Sequence, residues 1–101
     1  MTFEAYFGRT GRRLRADLGR FLGSKRKDFA PLGPWGRDVI GRLGAFTRKG
    51  KMIRGGLVAL GCDMACGRIA PAAVRAGTAI ELVQSGLLIH DDIMDQDDRR
   101  R

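Results

Sequence analysis

Apolar residues recur along this chain at the spacing of a helix face. Phe3, Tyr6 and Phe7, then Leu14, Leu18, Phe21 and Leu22, are separated by arginines, which predicts an amphipathic helix from residue 2 to about residue 22 with Thr2 as its N-cap. Residues 23–34, GSKRKDFAPLGP, read as a loop, with a basic run at Lys25, Arg26 and Lys27 and two prolines that break a helix. Pro34 suits the first turn of a second helix, whose inner face is expected at Trp35, Val39, Leu43 and Phe46 and whose end falls near Arg48 to Gly50. A third helix is expected through Leu57, Val58, Ala59 and Leu60, after the segment Gly50-Lys51-Met52-Ile53-Arg54-Gly55-Gly56. Pro71 opens a fourth, running to about Asp95. From Ala72 to Ile89 it carries only Arg75, Glu81 and Gln84 as charged or amide side chains, so it should be buried round most of its circumference. Four helices make the chain all-α, and Cys62 and Cys66, four apart in the third helical stretch, are expected as small core residues.

Charge changes this picture. The formal net charge is +8, yet five of the eleven acids lie between residues 91 and 98, so that residues 1–90 alone carry +10. A basic body with an acidic tip fits either an anionic surface or a pocket for a multiply charged anion. A nucleic-acid-binding module is the weaker alternative, since no aromatic platform interleaves with Arg9, Arg12, Arg13, Arg15 and Arg20. No uninterrupted apolar run approaches the roughly 18 to 20 residues needed to span a bilayer, and the N-terminus lacks the core of a secretory signal, so a cytoplasmic location without a transmembrane segment is expected.

The chemistry gathers at the end of the fourth helix, ELVQSGLLIHDDIMDQDDRRR. On a helix, Asp91 and Asp95 project from one face a turn apart, with Asp92 rotated about 100° from Asp91. Two carboxylates so placed suit Mg²⁺, which takes one or two carboxylates and fills its other positions with water and phosphate oxygens. His90 is a poor ligand for such a hard cation and is expected as a hydrogen-bonded structural residue. Asp97 and Asp98 read as solvated acids or a cap. Lys51 and Arg54, three apart at the start of a helix after Gly50, can meet one anion together with backbone N–H groups. Gln84 lies about two turns before Asp91 and so on nearly the same face.

D-D-x-x-D-x-x-x-x-R-R, read as Asp91, Asp92, Asp95, Arg100 and Arg101, resembles the first aspartate-rich motif of the trans-isoprenyl (polyprenyl) diphosphate synthases. Gly50-Lys51-x-x-Arg54 resembles the family's upstream diphosphate element, which commonly has Arg at the position of Met52 and Pro at that of Gly55. Glu81-x-x-Gln84 resembles the E-x-x-[H or Q] that precedes the aspartates. The resemblance covers residues 50–101. It implies an antiparallel helical bundle, the N-terminal part of the isoprenoid synthase fold, with residues 1–101 as the first helices of one domain. It also implies a prenyltransferase that condenses isopentenyl diphosphate with an allylic diphosphate, head to tail and trans, in a protein that forms a homodimer. Asp91, Asp92 and Asp95 become the catalytic carboxylates, with Mg²⁺ on Asp91 and Asp95. Lys51, Arg54, Gln84 and Arg101 become the isopentenyl diphosphate site, and Arg100 grips the allylic diphosphate. Gly86 and Leu87, with Val83 one turn further in, would form the floor that limits chain length, and the space at Gly86 implies geranylgeranyl or longer products. The family needs a second aspartate cluster, which this sequence lacks, so the chain is expected to be inactive in isolation. A class I terpene cyclase is the nearest alternative; it has no second diphosphate to hold.

Overall fold

A computed structural model of the chain describes residues 2–100, with side chains as far as Asp95. Its described residues form four α-helices and one 3-10 turn, with no strand: α1 (Phe3–Phe29), the turn Ala30–Leu32, α2 (Pro34–Arg48), α3 (Ile53–Cys66) and α4 (Pro71–Arg100). The all-α expectation holds. Thr2 caps α1 through its hydroxyl, which accepts the Ala5 N–H at 3.1 Å. Pro34 and Pro71 each stand at the first position of a helix, where the missing N–H costs nothing.

The first helix runs seven residues past the expected stop near residue 22, and the predicted loop shrinks to Ala30–Gly33. Lys25, Arg26 and Lys27 are good helix formers, and the last two complement the negative end of the helix dipole. Pro31 and Gly33, with φ of 82°, then turn the chain. α4 likewise extends beyond Asp95 to Arg100.

Leu14, Leu18 and Leu22 of α1 form the core with Ile40, Met52 and Val74, and Phe29, Ile69 and Leu82 pack on its edge. The inner face of α2 differs from the expected one by one residue: Gly36, Ile40, Gly44 and Thr47 are buried, while Trp35 is 68% exposed. Glycine explains the shift. A Cβ at Gly36 would stand 2.4 Å from the Phe29 carbonyl oxygen and one at Gly44 would stand 2.7 Å from Leu22, so the two helices meet backbone to side chain along a face with little apolar signature.

α4 buries one stripe, including Val74, Thr78, Glu81 and Ser85, and exposes Ile80, Val83 and Leu87 on the other. This corrects the expectation of burial all round: α1, α2 and α3 all pack on the same side of it. Residues Pro71–Asp95 are, among the described residues, the one helix long and apolar enough by length and composition to cross a membrane, although its buried polar stripe is engaged with the neighbouring helices. Cys66 is exposed and Cys62 half-buried, contrary to the core assignment.

Candidate functional site

Lys51 and Arg54 flank the start of α3, and Met52 between them sets their direction. Met52 takes a left-handed backbone conformation, φ 58° and ψ 34°, which costs a side-chain-bearing residue about 1–2 kcal/mol. Its side chain, 2% exposed in the core, offsets that cost by burial. The same turn leaves Lys51 and Arg54 exposed on the outside.

Two contacts from other helices hold this turn. The Arg15 guanidinium on α1 donates to the Gly50 carbonyl at 2.7 Å and to the Arg48 carbonyl at 3.5 Å. From α4, the Glu81 carboxylate accepts the Gly55 N–H at 2.8 Å, a buried bond across twenty-six residues of sequence. Glu81 thus caps α3 in place of a residue of the preceding turn, and its charge lies at the positive end of the helix dipole. Gly56 N–H closes on the Met52 carbonyl at 2.8 Å, so the Ile53 and Arg54 amides are the first-turn donors that bond to nothing among the described residues. Sequence reasoning missed Glu81 as a cap; its place three residues before Gln84 on the same helix was the available signal.

The Thr47 hydroxyl at the end of α2 donates to the Leu43 carbonyl at 2.7 Å and bonds to the Ser85 hydroxyl at 2.9 Å, tying α2 to α4 beside the same turn. The result is a cleft of about 340 Å³ into which Lys51, Arg54, Glu81, Gln84 and Leu88 all face. Lys49 adds a third cationic side chain to its wall, one that the sequence reading did not single out. A larger hollow of about 510 Å³ between α1 and α4, lined by Asp17, Arg20, Phe21, Arg75 and Leu82 among others, contains none of the sequence-predicted site residues.

The cleft points along α4 toward the acids. Glu81, Gln84, Ser85 and Leu88 line it, and Asp91, Asp92 and Asp95 continue that stripe at three, four and seven residues beyond Leu88. Asp91 and Asp95 are one turn apart and exposed, as is Asp92. Among the described residues no three His, Cys, Asp or Glu side chains converge as a ready metal cage. Two exposed carboxylates one turn apart still fit a cation that keeps several waters and takes phosphate oxygens. His90 is exposed and makes no hydrogen bond among the described residues, against the expectation of a bonded structural histidine. The side chains of Asp97, Asp98 and Arg100, and all of Arg101, lie outside the described residues. Gly86, Leu87 and Val83 are on the exposed face of α4, where a Cβ at Gly86 meets nothing within 4 Å.

The polyprenyl synthetase family model matches residues 43–101, a span that takes in the cleft, the capped turn and the acids. The chain belongs to this family. The polyprenyl synthetase resemblance extends to individual proteins: a geranylgeranyl diphosphate synthase of Mycobacterium tuberculosis is 38% identical over 98 residues, covering 88% of this chain and 27% of that protein. One from Sulfolobus acidocaldarius is 43% identical over 56 residues, covering 55% of this chain and 17% of its own length. The chain therefore spans about a quarter or less of these polyprenyl synthetase relatives. No solved structure gives a significant match.

Proposed function

We propose that this chain carries the diphosphate-binding end of a prenyltransferase that joins isopentenyl diphosphate to an allylic diphosphate, its residues forming the first helices of a single synthase domain. The observation that carries the reading is the gathering of Lys51 from the turn before α3, Arg54 from its first turn and Gln84 from α4 in one cleft, directly along α4 from Asp91 and Asp95.

In this reading Lys51 and Arg54 meet the diphosphate of isopentenyl diphosphate, the fork of Arg54 binding two oxygens and the Gln84 amide donating a further bond. Arg101 joins this set, and Arg100 holds the leaving diphosphate of the allylic substrate. Asp91 and Asp95, with Asp92 beside them, would hold Mg²⁺, which supplies neutralisation of the allylic diphosphate and so makes it a better leaving group. The carbon–oxygen bond of the allylic diphosphate breaks, and its carbon bonds to the terminal alkene carbon of isopentenyl diphosphate. A proton then passes to the released diphosphate. The cleft residues contribute by fixing the alkene against the developing cation, which turns an encounter into an intramolecular step.

The apolar side chains on the outer face of α4, Ile80, Val83 and Leu87, form one wall of the cavity that receives the growing chain and keeps water from the cation. Space at Gly86 favours products of geranylgeranyl length or longer, in keeping with the names of the two relatives.

The test is calorimetric titration of the chain with isopentenyl diphosphate. Saturable binding that weakens by at least about 100-fold in a Lys51→Ala/Arg54→Ala variant with unchanged helix content is expected, each lost charge-assisted bond being worth roughly 1.5–3 kcal/mol. Equal affinity in variant and parent would refute the assignment of the cleft.

A further inference from the structure

The corner between α1 and α2 presents apolar side chains outward where little holds them inward. Trp35 is 68% exposed and Leu32 57% exposed. Both sit on a stiff frame: Pro31 and Pro34 fix two backbone angles, Gly33 takes φ of 82°, and Gly36 packs so tightly that a Cβ there would lie 2.4 Å from the Phe29 carbonyl oxygen. Around it stand Lys25, Arg26, Lys27, Arg37 and Arg42 against two acids, Asp28 and Asp38. Both acids are already paired, Asp28 with Lys25 at 3.3 Å and Asp38 with Arg42 at 2.8 Å. Arg26, Lys27 and Arg37 are exposed and form no ion pair among the described residues.

We propose that this corner attaches the protein peripherally to an anionic lipid bilayer, with Trp35 and Leu32 entering the headgroup layer and Arg26, Lys27 and Arg37 lying against lipid phosphates. Tryptophan, with an apolar body and a polar N–H, settles at headgroup depth, and each Lys or Arg at an anionic surface adds attraction. Two apolar side chains protruding from a tip suit a deformable surface better than the groove of a protein partner, and the unpaired cations match phosphates. The corner and the cleft lie at opposite ends of α2, whose fifteen residues span about 22 Å, so attachment leaves the cleft in water. This inference is independent of the reading of the cleft.

Trp35 is the only tryptophan, so it reports on the corner without a label. With vesicles of phosphatidylcholine mixed with phosphatidylserine, its emission should move to shorter wavelength and be quenched by lipids brominated on the acyl chain. Vesicles of phosphatidylcholine alone should give neither change. An Arg26→Gln/Lys27→Gln/Arg37→Gln variant should partition on the order of 100-fold more weakly. Leu32→Ser should weaken partitioning roughly tenfold with the helix content unchanged. The proposal is overturned if Trp35 emission is unmoved by anionic vesicles, or if phosphatidylcholine alone shifts it equally. It is also overturned if both variants partition like the parent, which would move the contact to the apolar face of α4, or if the shift follows protein concentration without lipid, which would make the corner a contact between copies.

Discussion

The Glu81 carboxylate on α4 accepts the backbone N–H of Gly55 at 2.8 Å inside the first turn of α3. That bond joins the helix carrying Gln84 and the aspartates to the turn carrying Lys51 and Arg54. Glu81 is buried, so truncation to Ala strands the Gly55 donor away from water and should destabilise the fold by about 1–3 kcal/mol. Glu81→Gln keeps an acceptor oxygen and should retain more of that stability. Urea unfolding of the two variants measures the difference; equal losses would mean that the oxygen at this position contributes no specific cap.

Next to this bond the backbones of α3 and α4 almost touch. A Cβ at Gly77 would lie 2.8 Å from the Gly55 carbonyl oxygen and 2.9 Å from Leu14. Neither neighbour yields easily, since one is backbone and the other is a core side chain. Gly77→Ala should therefore lower stability by roughly 1–3 kcal/mol despite its better helix propensity, whereas Gly41→Ala, with open space around it, should raise it by up to about 1 kcal/mol. Thermal melts of the two variants should move in opposite directions.

Local chemistry made much of the fold readable in advance. The Thr2 cap, Pro34 and Pro71 each announce a helix start by a rule that needs no tertiary contact, and all three stand where expected. The outer limit of α1 was not readable, because its basic run is as compatible with a helix as with a loop until Phe29 packs on the core. The α2 face was misread by one position because Gly36 and Gly44 mark close approach through what they lack. Lys51, Arg54 and Gln84 were legible as a set through their motifs, and they do line one cleft. Glu81 was legible only as the first residue of Glu81-x-x-Gln84 and not as a cap, since its partner is a backbone amide that carries no sequence signature.

Gly86 tests the proposed cavity. It meets nothing within 4 Å, so Gly86→Phe should leave stability within about 1 kcal/mol of the parent, while the proposed function expects shorter products in a prenyl-transfer assay with this change. Unchanged product length in a folded variant would remove the floor from this level of α4.

The phenol of Tyr6 donates to an Asp63 carboxylate oxygen at 3.1 Å, linking α1 to α3. Burial pushes its pKa above the usual 10.0, and the hydrogen bond to Asp63 and that group's charge push it further the same way. The folded state therefore binds this proton more tightly than the unfolded chain does. The stabilisation is complete below about pH 10 and is lost as pH rises through the folded value. Tyr6→Phe should show a shallower loss of stability above pH 10, read from urea midpoints across that range.

The account rests on one site spanning the turn before α3 and the acids of α4. The most direct measurement uses Mn²⁺ as a paramagnetic stand-in for Mg²⁺, with isopentenyl diphosphate present, while the amide resonances of the chain are followed by NMR. Broadening should be strongest around Asp91 and Asp95, should reach the Gln84 side chain and the amides of Lys51 and Arg54, and should vanish in Asp91→Asn/Asp95→Asn. Broadening centred elsewhere, or confined to the acids with no response at Lys51, Arg54 and Gln84 when the diphosphate is added, would contradict it.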